Sequence, residues 1–118
     1  MTKEDRQLLF RELCERIPYD NTKVRRIVHT TETDTIESVE HLNLYWLMEF
    51  QAGECDLIPY LRPMSSMTEE EKEEFISFNG TDGCYIKTMD FCHKHHLDNR
   101  GLIPMGLAIE APEGMYDR

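Results

Sequence analysis

One hundred and eighteen residues, 40% of them hydrophobic, suffice for one hydrophobic core and predict a single domain over 1–118. No run approaches the roughly 20 apolar residues of a membrane-spanning helix, and five Pro with six Gly exclude collagen-like and low-complexity chains. Thirteen Lys and Arg against 23 Asp and Glu leave a net charge of -10, which argues against direct nucleic-acid binding, and the lack of an apolar run argues against a membrane partner.

The chain opens with a helix. Thr2 is placed to cap it, with Asp5 three residues on as a capping-box variant. Leu9, Leu13 and Ile17 recur every four residues, and Leu8, Phe10 and Cys14 widen the stripe into a core-facing side. Glu12 and Arg16 read as an i,i+4 pair on the solvent side, and Pro18 ends the helix by pushing the preceding residue out of helical angles.

After a Tyr19-Asp20-Asn21 turn, β-branched residues dominate 24–31, and Thr35 to Glu40 is β-prone as well. Leu42, Leu44, Trp46, Met48 and Phe50 alternate on one face of a third predicted strand, with core packing as the commoner role for Trp46. Thr33-Asp34 and Gln51-Ala52-Gly53 supply turns, so the expectation is an antiparallel meander of about three strands. Two prolines four apart make 56–63 an irregular segment.

Thr68 with Glu71 forms a second capping box, and Glu69, Glu70 and Glu71 crowd the positive end of that helix dipole. Phe75, Ile76 and Phe78 give this helix a short apolar face, its run of glutamates reads as a solvated face, and Asn79-Gly80 stops it. Thr88 is placed to cap a third helix with Asp90 in its first turn, aligning Phe91 with His95 and Cys92 with His96. Residues 100–109 are apolar but broken by Gly and Pro, which predicts an irregular segment across the core and then a polar tail. The fold class expected is therefore α+β.

The charge is uneven. Residues 32–74 hold two positive and twelve negative side chains and carry the whole net charge of -10. Only Lys23-Val24-Arg25-Arg26 resembles a basic cluster, and it lies beside that acidic block. An acidic surface suits a basic protein partner; a nucleic-acid mimic directed at a host factor is a narrower version of the same idea. The charged opening Met1 to Arg6, with no apolar stretch behind it, predicts no signal peptide and a cytoplasmic location.

Chemistry-bearing residues are few and poorly spaced. Cys14, Cys55, Cys84 and Cys92 form no C-x-x-C pair and read as reduced thiols. Cys84, Cys92, His93, His95 and His96 contain zinc-compatible atoms, yet a tetrahedral site usually has two tight pairs and only one end here is tight. The competing reading packs Cys92 inward and sets the histidines at a helix C-terminus. Catalytic candidates are Cys92, Ser65 or Ser66 as nucleophile, His93 or His95 as base and Asp98 as orienter, but chain neighbours such as Cys92 and His93 point to different sides of a helix. Asn79-Gly80-Thr81-Asp82-Gly83 lacks the lysine and preceding strand of a phosphate loop.

Several blocks carry a resemblance. Met1 to Asp5 with Leu8-Leu9, Leu13-Cys14 and Ile17-Pro18-Tyr19, then Pro59 to Glu71, His95-His96-Leu97-Asp98 with Arg100 to Ile103, and Gly106 to Pro112 resemble uncharacterised small proteins of gut Bacteroidetes genomes, their phages and mobile elements. The blocks cover about half the chain, and 24–55 looks individual. The resemblance implies a shared small fold and a role for His95-His96 in turning the third helix into the C-terminal segment. It implies no activity, cofactor or metal. The function expected is a non-enzymatic accessory or interaction protein with an acidic surface, the alternatives being a small-molecule or metal-binding domain or a small enzyme. An exposed strand edge leaves the oligomeric state open.

Overall fold

The computed structural model describes residues 1–19, 22–29, 35–77 and 84–116, without the side chains of Cys84 and Tyr85. The expected turns at 20–21 and 33–34, the stop at Asn79-Gly80, the loop 79–83 and the extreme tail therefore lie outside the described residues.

Helix α1 spans Lys3–Arg16, and its capping box forms as the sequence predicts: Asp5 N donates to Thr2 Oγ1 and Thr2 N to the Asp5 carboxylate. It stops before Pro18, but Ile17 keeps helical angles (φ -56°, ψ -41°). The break thus comes from the N–H that proline lacks, not from a displaced predecessor. Strands β1 (Lys23–His29) and β2 (Thr35–His41) pair antiparallel from Lys23 opposite His41 to His29 opposite Thr35.

The third predicted strand is a helix. Leu44–Gln51 forms α2, capped by Asn43, whose Oδ1 accepts from Trp46 N at 2.9 Å. The segment holds no β-branched residue and is rich in good helix formers, and that preference prevails over the alternation. Burial follows the helical period: Leu47 and Phe50, three apart, are buried, whereas Leu44, Tyr45 and Met48 are exposed. Trp46 is half-buried rather than central to the core, with the Arg26 guanidinium 4.3 Å from its ring centre. Gly53, at φ +80°, turns the chain after α2.

The segment read as irregular is instead a strand, β3 (Asp56–Leu61), paired antiparallel with β1 on the side opposite β2. Its outer neighbour is the two-residue parallel strand β4 (Ile109–Glu110), which reaches only Tyr60 and Leu61. At Pro59 β3 therefore has β1 as its sole partner, a place where a missing N–H need not cost a ladder bond. The sheet is mixed and four-stranded, ordered β2-β1-β3-β4, against the three antiparallel strands expected. The fold is α+β, as the sequence predicts.

A short 3-10 helix at Met64–Ser66 leads to α3 (Glu69–Ser77), and α4 spans Cys84–Lys94. Thr88 lies inside α4, so it caps nothing, and Asp90 sits past the first turn. Three packed clusters result. Leu9, Leu13, Val24, Leu47, Phe50, Cys55 and Leu57 pack α1 and α2 on the sheet. Leu61, Leu102, Leu107 and Ala108 draw the irregular C-terminal segment over the end of β3. Phe91, Cys92 and Leu97 hold α4 beside Met64, Met67 and Phe75. Cys14 is exposed and stands off the core face of α1, contrary to the stripe that placed it inward. No described helix is long and apolar enough to cross a membrane.

Candidate functional site

Charged side chains join the apolar clusters in holding the C-terminal half together. Arg62, directly after β3, has a side chain only 3% exposed and makes a two-pronged pair with Glu71, at 2.9 and 2.7 Å. Its second nitrogen also donates to Ser66 O at 3.0 Å, and its backbone exchanges bonds with His96 O and Asp98 N. Glu71 closes the capping box of α3, accepting from Thr68 N at 2.9 Å while Glu71 N donates to Thr68 Oγ1 at 3.2 Å. The Arg62 bonds, opposed by burial, hold the Glu71 carboxyl down at about 2. The glutamate run is therefore not uniformly solvated: its third member is turned inward.

A second buried pair corrects another expectation. Glu12 and Arg16 form the i,i+4 pair predicted, at 2.7 Å, but both are 0% exposed instead of facing solvent. The outer end of Arg16 donates to Leu97 O at 2.8 Å, so the pair braces α1 against the segment that follows α4. Arg100 joins this network, ion-paired with Glu12 and at 2.9 Å from Glu15.

His96 ends α4. It is the one non-glycine residue with positive φ among those described, at φ 59°. His96 N donates to His93 O and Leu97 N to Cys92 O, which is the two-bond left-handed helix stop usually made by glycine. Its ring stacks 3.9 Å from Tyr116 at 14°, and Nδ1 faces Thr22 Oγ1 at 3.3 Å. Tyr116 in turn donates to Tyr60 O at 2.7 Å and accepts from Lys23 N at 2.9 Å. Burial first, then the Arg16 charge, pushes His96 down to about 4, so it is neutral at pH 7; burial pushes the Tyr116 phenol up to about 12. Asp98 accepts from Leu102 N and Ile103 N at 2.8 and 2.9 Å and shapes the next turn.

These contacts decide where the predicted chemistry falls. Cys92 is fully buried, and burial raises its thiol pKa, the reverse of an activated nucleophile. Ser66 Oγ donates to Pro63 O, while Ser65 is exposed. His95 Nδ1 lies 3.1 Å from Glu71, and the Asp98 carboxylate is taken by backbone N–H groups rather than by a histidine. The candidates are thus close in sequence but engaged with different partners. Among the described residues no group of three or more His, Cys, Asp or Glu is arranged to hold a metal ion, and the Cys84 side chain lies outside them.

Sequence reasoning missed a groove of about 440 Å³ between the end of α1 and α4. It is lined by Glu15, Tyr19, Ile86, Lys87, Met89, Asp90 and His93. Tyr19 donates to Asp90, and its ring meets His93 edge-on at 5.6 Å. The sequence signals were His93, already a candidate base, and Tyr19, an aromatic residue just past a helix end, with nothing to say that they meet. No protein-family model, curated protein or solved structure matches the chain.

Proposed function

We propose that this chain is a non-enzymatic interaction protein that presents the outer face of α3 to a basic protein partner. The observation behind the reading is the way α3 places its carboxylates. Glu71 alone turns inward to Arg62, whereas Glu69, Glu70, Glu73 and Glu74 stand exposed, with Lys72 the one cation among them, 3.4 Å from Glu69. Such a field draws a basic surface by long-range attraction and weakens with salt. The structural engagement of Cys92, Ser66, His95 and Asp98 supports a role without catalysis.

The same proposal takes the chain's company from the Pro59–Glu71 and His95–Ile103 blocks: small cytoplasmic proteins of gut Bacteroidetes and their mobile elements. Tagged protein is therefore offered to a lysate of such a bacterium, with and without nuclease. The expected result is one stoichiometric protein that survives nuclease, elutes with salt and is lost with the triple variant Glu70→Lys, Glu73→Lys, Glu74→Lys. Glu71 stays out of the set because its reversal would break the Arg62 pair. Retention of the same protein by the variant would remove α3 as the contact.

A further inference from the structure

The α1–α4 groove holds a buried acceptor that the packing of the chain does not use. The His93 side chain is only 6% exposed, yet among the described residues its Nε2 has no hydrogen-bond partner. The nearest carboxylate oxygen, Glu15 Oε2, is 3.7 Å away, beyond hydrogen-bond range. Burial and the Arg16 charge lower the His93 pKa, so the ring is neutral at pH 7 and in its Nδ1–H form offers Nε2 as an acceptor. Glu15 accepts from Arg100 at 2.9 and 3.1 Å, but a carboxylate has about four lone-pair sites and keeps capacity toward the groove.

Two acceptors 3.7 Å apart, in a groove lined also by Tyr19, Ile86 and Met89, select the shape of their guest. A planar group with two adjacent N–H donors reaches both at once and lays its flat faces on aromatic and apolar walls. A single ammonium has no fork, and an anion would face Glu15 and Asp90. Lys87 and Asp90, of opposite charge, both line the groove.

We propose that this groove binds a guanidinium group, with His93 Nε2 and Glu15 Oε2 as its paired acceptors. The site does not involve the acidic face of α3. Its ligand is either a small free guanidine or an arginine side chain.

The test titrates the full-length isotope-labelled protein with methylguanidinium chloride, methylammonium chloride or sodium chloride and follows the His93 ring nitrogens and Tyr19 by NMR. Saturable shifts are expected with methylguanidinium alone. Glu15→Gln and His93→Leu should each weaken binding by tenfold or more, on the scale of one lost charge-assisted hydrogen bond, and His93→Gln, which restores an acceptor, should recover part of it. N-acetylarginine methylamide distinguishes the sources: binding as tight as methylguanidinium assigns an arginine side chain, and much weaker binding assigns a small free guanidine. Absence of saturation, an equal response to methylammonium, or undiminished binding in Glu15→Gln would overturn the proposal, and the last of these does not depend on His93→Leu folding.

Discussion

The polar residues of this chain do work that a larger core would leave to apolar contacts. Arg62 and Glu71 are both at least nine-tenths buried and bonded to each other twice. Removing one partner strands the other charge away from water, so Arg62→Met or Glu71→Leu alone should cost roughly 3–5 kcal/mol, while the double variant should cost clearly less than their sum. Urea unfolding of the four proteins in a double-mutant cycle measures this; additive losses would mean the pair is not coupled.

Titration adds a second expectation at this scale. His96 is held near 4 and His93 is also lowered, against 6.5 for each unfolded. Between these values the unfolded chain binds more protons, so stability is full above about pH 6.5 and falls as pH drops toward 4. For His96 alone the loss reaches about 3 kcal/mol. Glu71, held near 2 against 4.5, keeps its contribution above pH 4.5 and surrenders it below. Unfolding free energies measured from pH 7 to 3 should therefore begin to fall well above the carboxylate range. A plateau down to pH 5 would contradict the buried neutral histidines.

At the scale of elements, α1 and the start of α3 were legible because a capping box is a local device: donor, acceptor and helix lie within four residues. Strands β1 and β2 were legible from β-branched composition. Residues 42–50 were not, because nine residues of nearly continuous apolar character satisfy both a period of 2 and one of 3.6. The two periods make opposite predictions. In the strand Leu47 stands opposite the buried face and Met48 on it; in α2 Leu47 is 3% exposed and Met48 is 64% exposed. Leu47→Ala should cost about 2–4 kcal/mol and Met48→Ala under about 0.5 kcal/mol, by chemical denaturation. The reverse order would restore the strand.

β3 was hidden for another reason. Two prolines in eight residues argue against a central strand, and only the short reach of β4 makes Pro59 acceptable. The end of α4 was half legible: the His95-His96 block was expected to turn the chain, but a left-handed histidine in place of glycine depends on its stack with Tyr116, 20 residues on.

For the whole molecule, charge divides between two uses. Some charged groups are interior braces, as Glu12, Arg16, Arg62 and Glu71 are. Others, the outer glutamates of α3, stand exposed, and among the described residues they brace no other element. The triple reversal at Glu70, Glu73 and Glu74 should therefore change the unfolding free energy by about 1 kcal/mol or less, since surface substitutions rarely do more. A thermal melt separates this from a folding defect before any partner experiment is read. A large loss of stability would mean that those side chains brace the fold as well.

By itself the sequence determined the α+β class, the caps of α1 and α3, the first two strands and the acidity of 32–74. Each of these is a property of composition or of residues within one turn of each other. The tertiary structure alone decided which charges are buried, which face of 44–51 packs, and that Glu15, Tyr19 and His93 border one groove. The reason is distance along the chain. Arg16 is buried because Leu97, 81 residues away, offers its carbonyl, and no periodicity near Arg16 reports that partner.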